Sequence, residues 1–456
     1  MHYENNVPYF RSYVHGVNIK VPLANGNYAA EINFDNAATT PPLKTVLYDM
    51  LNFSSMYSSI HRGTGYKSQY SSQMYEKSRE IVGRFVGADL REDTVIFVKN
   101  TTEAINKLAY QLNRCYRKNV ILSTNMEHHS NDLPWRKRFN VDYIDVDKDG
   151  RLSLKDLEYK LRRYGNSVRL VTITGASNVT GYINPIHEIA ELVHSYNSKL
   201  LVDAAQLVAH TPINMQGTNP KQKIDYLAFS SHKMYAPFGI GVLIGPKSDF
   251  EDGEPHYAGG GAVDIVTHDY IKWAETPHKE EAGSPNIIGV VALASAIKTL
   301  QSLGLENIHG YEKWLTNYAI KRLKPIPDIK LYGDTENYGD RVGIIPFNIE
   351  GIHHETLANI LSKEGGIAVR NGCFCAHPYL HSLLNVSRKV IEDRISNPDL
   401  PHPGMVRISF GMYNSSQEVD VLVNSLHNIS NNKEYFLKKY SDLNNRNRFI
   451  GSKFKV

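Results

Sequence analysis

The chain reads as an α/β protein: a mainly parallel sheet with helices on both faces, followed by a smaller α+β domain. Three observations predict this. Between about residues 93 and 245, short apolar runs alternate with helical stretches, the pattern of strands linked by helical crossovers. After about residue 290 the alternation stops, and an Ala-rich apolar helix gives way to further helices and short strands. At 456 residues the chain is also long enough for two cores.

The elements follow in order. Residues 94–99 form an expected buried strand, and residues 102–113 an expected helix with Ile105, Leu108, Ala109 and Leu112 along one stripe. Residues 120–122, 143–146 and 168–174 read as strands, and 186–196 as a helix feeding the strand 199–203. An apolar strand from 226 and a Gly-rich strand over 239–245 bracket a short connection. Residues 289–305 read as the Ala-rich helix, and 343–348 and 406–410 as strands of the second domain. The expected division is a large domain over 31–290, a small domain from 1–30 and 291–432, and a basic tail over 433–456. Residues 384–404, with Pro398, Pro401, Pro403 and Gly404, read as an irregular insertion.

Composition narrows the classes. Lysine and arginine total 51 against 47 acidic residues, a net charge of +4. The tail accounts for it, with seven basic residues from Lys433 onward against Glu434 and Asp442. The body is close to neutral, so nucleic-acid binding is not expected, and the tail reads as a solvated terminus. No apolar run reaches the ~20 residues that span a bilayer. Residues 1–6 lack the charged-then-apolar pattern of a secretory leader. A cytoplasmic protein without a membrane partner is expected. Three cysteines, Cys115, Cys373 and Cys375, are too few for a disulfide framework. In the pairs His128-His129 and His353-His354, neighbouring side chains of an extended segment point to opposite faces. No metal site is expected.

The chemistry gathers on one lysine. Lys233 ends the run Tyr226-Leu227-Ala228-Phe229-Ser230-Ser231-His232-Lys233. An apolar strand thus delivers an amine to the carboxyl edge of a sheet, where α/β proteins bind ligands. Such an amine can condense with an aldehyde, the obvious one being pyridoxal phosphate; the plain alternative is a surface lysine. This cofactor also needs an acid for its pyridine nitrogen, a phosphate cradle and a group over its ring. Asp203, at the end of strand 199–203 with Gln206 beyond it, fits the acid; its alternative is a helix N-cap. Asn100-Thr101-Thr102-Glu103 joins a strand to a helix and offers N–H groups and hydroxyls to a phosphate. Ser230 and His232 add donors. His128 fits the ring-facing group, with proton shuttling near neutral pH. Asn178 follows another strand and suits the ring hydroxyl or the substrate.

The last element is Arg370-Asn371-Gly372-Cys373-Phe374-Cys375-Ala376-His377-Pro378. A thiol on such a loop is a candidate nucleophile. In an extended segment Cys373 and Cys375 point to one side. One can then attack while the other resolves, or neither matters; Cys375 is favoured as nucleophile.

These residues, with Asp35-Asn36-Ala37-Ala38, His61-Arg62-Gly63, Asp203-Ala204-Ala205-Gln206, Ala282-Gly283-Ser284-Pro285-Asn286 and Arg407-Ile408-Ser409, resemble the class V aminotransferase family of fold type I pyridoxal phosphate enzymes. More narrowly, they resemble the group II cysteine desulfurases and selenocysteine lyases, over about residues 30–430. The resemblance implies a seven-stranded sheet and a homodimer with active sites near the interface. It implies that Lys233 holds pyridoxal 5'-phosphate and moves protons, Asp203 pairs with the pyridinium, Gln206 contacts the ring hydroxyl and His128 stacks on the ring. Thr101, Thr102, Ser230 and His232 would bind the phosphate, joined by Ser284 of the partner subunit. Asn178, Arg370 and Arg407 would bind the amino acid, Arg407 as a fork on its carboxylate, and Arg62 would reach across the dimer. Cys375 would take sulfur from L-cysteine, leaving L-alanine and a persulfide for an acceptor protein or small molecule.

Three departures stand out. Cys373 and Phe374 occupy positions where group II enzymes usually carry histidines. The stretch between Cys375 and Arg407 is longer than the group II pattern and Pro-rich, and Ser284 stands where Thr is commoner. The Gly-Cys-Phe-Cys string is also similar to molybdenum cofactor sulfurases. The alternatives are another class V enzyme (an aminotransferase, an epimerase, or a lyase acting on selenocysteine or a modified amino acid) and a protein that keeps the fold without turnover.

Overall fold

The computed structural model describes residues 8–113, 118–336 and 339–446. Cys115 and the tail residues Arg448, Lys453 and Lys455 lie outside them. Seven strands build the large sheet: β1 (Asp93–Val98), β2 (Val120–Thr124), β3 (Asn140–Ile144), β4 (Val168–Thr174), β5 (Lys199–Asp203), β6 (Tyr226–Ser230) and β7 (Gly241–Pro246). Their spatial order is β1-β7-β6-β5-β4-β2-β3. All pairings are parallel except those of β7, which runs antiparallel to both β1 and β6. An antiparallel neighbour needs no helical crossover, so the connection from β6 to β7 is short, and it carries Lys233. The central strands are buried on both faces, which explains their continuous apolar runs rather than alternation.

The second sheet is small and antiparallel: β8 (Ile329–Leu331), β9 (Ile344–Ile349), β10 (Arg370–Gly372) and β11 (Met405–Ser409), in the order β8-β9-β11-β10. It packs on helices Leu305–Leu323, His354–Gly365 and Ser416–Asn431 to form a second core around Phe347, Leu357 and Leu422. The N-terminal segment touches both cores. Ile32–Asn33 pairs in parallel with Ile367–Ala368, and Arg11 bonds Glu418 at 2.8 Å, whereas Val14 sits in the first core and bridges Leu43.

Three elements differ from the sequence expectation. Strand β3 begins three residues earlier than expected and ends at Ile144. The insertion 384–404 contains a helix, Arg388–Ser396, capped by the Ser387 hydroxyl and braced by an Arg388–Glu392 pair at 2.7 Å. None of its residues is buried, so no apolar stripe advertised it, and the prolines fall in the irregular backbone of residues 397–404 that follows it. The tail is not simply solvated. Lys433–Arg446 is helical, Phe436 and Tyr440 enter the second core, and Lys439 reaches Glu364 at 2.6 Å. Its amphipathic spacing was masked by its charge. No single helix among the described residues is long and apolar enough to cross a membrane. Helices Ile287–Leu303 and Leu305–Leu323 pass that test only as a pair bent by 75°.

Candidate active site

A cavity of about 230 Å³ opens at the carboxyl edge of the large sheet, against the small sheet. Several strand ends contribute to it. Ser230 ends β6 and Asp203 ends β5, while β1 leads into Asn100 and Thr101. Gly241 opposes Ser230, and a Cβ there would stand 2.5 Å from the Asn100 backbone. Glycine is therefore what lets the Asn100–Thr101 turn close over the sheet edge. That turn is fixed further by the Ser230 hydroxyl, which accepts from the Thr101 N–H at 2.8 Å. Asn100 caps the following helix through the Glu103 N–H at 3.0 Å.

Lys233 is half-buried, and burial pushes its pKa down to about 8 against the pull of Asp203. Part of the amine is therefore neutral near physiological pH, the state in which it is nucleophilic. Asp203 is 4% exposed, with Oδ1 accepting from the Ala205 N–H, and burial raises its pKa. Gln206 donates to the Ala37 carbonyl at 2.6 Å, and its buried Oε1 has no partner among the described residues. Burial and Lys233 push His128 down to about 3, and His232 to about 4. His128 is thus a neutral ring at pH 7. Its Nδ1 accepts from the Ser130 N–H at 3.1 Å. Thr102 pairs with the Ser130 hydroxyl at 2.6 Å at the cavity rim.

The opposite wall comes from the small sheet and the loop that follows β10. Arg407 is 3% exposed, and burial lowers its pKa to about 10, so it stays cationic. It donates through Nη1 to the Asn178 carbonyl at 2.7 Å and through Nη2 to Asp35 at 3.3 Å, and its buried Nε is without a partner among the described residues. Asp35 also pairs with Arg370 at 3.5 Å, a role its sequence position did not reveal. Glu127 was likewise unassigned. Buried beneath the site, it accepts from Thr124, Asn131 and the Thr174 N–H, tying the ends of β2 and β4 to the turn at residues 129–131. Burial pushes it up to about 8.

The loop bearing Cys375 corrects the sequence reading. It is not extended: Phe374 and Cys375 are both left-handed, at φ 52° and 54°, in a turn closed by the Ala376 N–H on the Cys373 carbonyl at 3.0 Å. Non-glycine residues pay ~1–2 kcal/mol each for that backbone, and outside contacts hold it. The Asn178 side chain donates to the Phe374 carbonyl at 2.7 Å, and the His129 N–H to the Cys375 carbonyl at 2.7 Å. The Arg407 guanidinium lies over the Phe374 ring, 4.8 Å from its centroid. Consequently Cys375 is exposed and lines the cavity, whereas Cys373 is buried and donates to the Pro403 carbonyl at 3.0 Å. The two thiols do not share a side, and both are free.

Lys233, Asp203, Gln206, His128, Thr101, Thr102, Ser230, His232, Asn178, Arg370, Arg407 and Cys375 all line this one cavity. Arg62 and Ser284 do not. Arg62 reaches the Val263 carbonyl at 3.4 Å beside a separate groove, and Ser284 is exposed on the surface. Away from the cavity, His61, Glu76 and His278 bring ligand-type atoms within 4.8 Å of one another, although Glu76 is already engaged by Arg79.

Residues 32–422 match the family model described as aminotransferase class-V. A cysteine desulfurase of Haloferax volcanii is 34% identical over 403 residues, spanning 87% of this chain and 88% of the relative. A probable cysteine desulfurase of Synechocystis is also 34% identical, over 87% of this chain and 90% of the relative. Among solved structures, the apo cysteine desulfurase of Thermococcus onnurineus superposes with a TM-score of 0.78 at 32% identity, covering 88% of this chain and 95% of that one. The Escherichia coli cysteine desulfurase CsdA superposes with a TM-score of 0.76 at 27% identity, covering 92% and 97%. The chain belongs to the class-V aminotransferase family.

Proposed function

We propose that the chain is a pyridoxal 5'-phosphate-dependent cysteine desulfurase, converting L-cysteine to L-alanine and carrying the sulfur as a persulfide on Cys375 for a protein or small-molecule acceptor. The observation that carries this reading is one cavity shared by Lys233, Asp203, Arg407 and Cys375. The cysteine desulfurases among its relatives support it.

The residues fit the cofactor. A half-buried amine with a lowered pKa, a buried acid with no salt-bridge partner among the described residues, and an orphaned Gln206 oxygen are the complement of an aldehyde, a pyridinium and a ring hydroxyl. When bound, pyridoxal phosphate supplies the sink for the electrons released at the substrate α-carbon. The remaining work belongs to the chain. Lys233 would hold the cofactor and move the α-proton, Asp203 would keep the ring nitrogen protonated, and Ser230, Thr101, Thr102 and His232 would receive the phosphate. Arg407 offers its free Nε edge to the substrate carboxylate, with Asp35 and the Asn178 carbonyl fixing its plane. Cys375 takes up the sulfur, so that L-cysteine and a thiol become L-alanine and a persulfide.

A homodimer with sites near its interface belongs to the same proposal, supported by the absence of Arg62 and Ser284 from the lining of their own chain's cavity. So does a cytoplasmic location, for which the free Cys373 and Cys375 are the support. The test is alanine release from L-cysteine by protein showing the cofactor's visible absorbance band. Transfer of the amino group to a 2-oxo acid, without alanine release, would favour a different class V activity.

A further inference from the structure

Beside the cofactor cavity lies a second, open groove of about 920 Å³, walled by the insertion 397–404 and the start of the helix His354–Gly365. It has the size of a small-molecule site. Four of its lining residues bear on sulfur chemistry: Cys373, His377, His402 and Arg394. Arg394 points one buried guanidinium nitrogen, Nη1, at no partner among the described residues. The other, Nη2, meets His402. The left-handed turn at Phe374 and Cys375 is what separates the two thiols, sending Cys375 to the cofactor cavity and Cys373 to this groove. Yet they remain two residues apart, so their Cα atoms are within ~7 Å, and because the thiols face different cavities a sulfur–sulfur contact between them requires the strained turn at Phe374 and Cys375 to move. A sulfane sulfur on Cys375 extends its reach by ~2 Å more.

We infer that Cys373 is a second sulfur-carrying residue, which receives the sulfane sulfur from Cys375 and presents it in the outer groove to a thiolate acceptor. The inference rests on the desulfurase reading. In the step, the Cys373 sulfur attacks the outer sulfur of the Cys375 persulfide, one sulfur–sulfur bond forms and one breaks, and Cys375 leaves as a thiolate. The proton lost by Cys373 is the one Cys375 regains, so nothing is oxidised or reduced. Burial holds Cys373 as a thiol at rest, and the Arg394 charge opposes that burial, favouring the sulfur anion once formed. The hydrogen bond from Cys373 to the Pro403 carbonyl breaks when sulfur arrives, which links the sulfur load to the backbone of the insertion.

The experiment is a brief L-cysteine pulse of the holoenzyme without reductant, followed by alkylation and chymotryptic cleavage after Phe374, which separates the two cysteines for mass spectrometry. The expected result is sulfane sulfur on Cys375 first and on Cys373 later, with label lost from both sites in Cys375→Ser. In Cys373→Ser, alanine release in the first turnover and the label on Cys375 are expected to persist. Label confined to Cys375 in the wild type, or label on Cys373 in Cys375→Ser, would overturn the inference. Wild-type protein that releases no alanine from L-cysteine would instead sink the desulfurase reading on which it stands.

Discussion

The two walls of the cavity are held in place by different means. The cofactor-facing wall is built on strand ends: Asp203 and Ser230 close β5 and β6, and Lys233 follows one short turn later. The wall bearing Cys375 is a turn in unfavourable backbone, fastened from outside by Asn178, His129 and Arg407. A wall carried by a sheet is positioned by the fold itself. A wall carried by a strained turn depends on a few tertiary contacts, and strain of this kind is characteristic of functional sites. Changes to the first wall should therefore abolish cofactor chemistry, whereas changes to the fastenings of the second should spare the cofactor and slow sulfur uptake.

Lys233→Ala breaks the first wall most severely. Loss of a proton-transferring side chain costs on the order of 10²–10⁴ in rate, and the visible absorbance of a lysine-bound cofactor should vanish with it. Retention of both would place the anchor elsewhere. Asn178→Ala sharpens the comparison from the other side. It leaves the Phe374 carbonyl without its buried donor, a loss of about 1–3 kcal/mol. Alanine release is expected to fall by about tenfold or more on that scale, with the absorbance band unchanged. Equal loss of the band would mean that the two walls are not separable.

Gly241→Ala is smaller and local to the first wall. Its Cβ would meet the Asn100 backbone at 2.5 Å, and overpacking of that kind costs ~1–3 kcal/mol. Displacing Asn100 and Thr101 should weaken cofactor retention on dialysis more than it lowers turnover at saturating cofactor. The mildest effect concerns acid stability of the cofactor-free protein. His128 has its pKa depressed from 6.5 to about 3, so between those values the unfolded chain binds a proton that the folded chain does not. Stability is then lost as pH falls through about 6.5. His128→Gln should flatten the drop in urea midpoint between pH 7 and pH 5. An unchanged slope would place the acid sensitivity in other groups, such as His232.

The contrast also explains what the sequence disclosed. The strands over 168–174 and 199–203 were legible to the residue, because double-sided burial leaves uninterrupted apolar runs ending in polar groups. Lys233 and Asp203 were legible for the same reason, since a strand end predicts an address. The turn at Phe374 and Cys375 was not legible, because neither residue favours a left-handed backbone and the contacts that impose it come from residues 129, 178 and 407. Asp35 and Glu127 were hidden likewise, their roles arising only from tertiary pairing. The helix Arg388–Ser396 was missed because a helix with no buried residue carries no apolar period.

The most direct measurement is the reaction of Cys375→Ala with L-cysteine. A desulfurase built on these two walls should keep its cofactor absorbance band in this variant while catalytic alanine release disappears. Undiminished alanine release would contradict the account, because the sulfur would then leave the substrate without the thiol that faces Lys233 across the cavity.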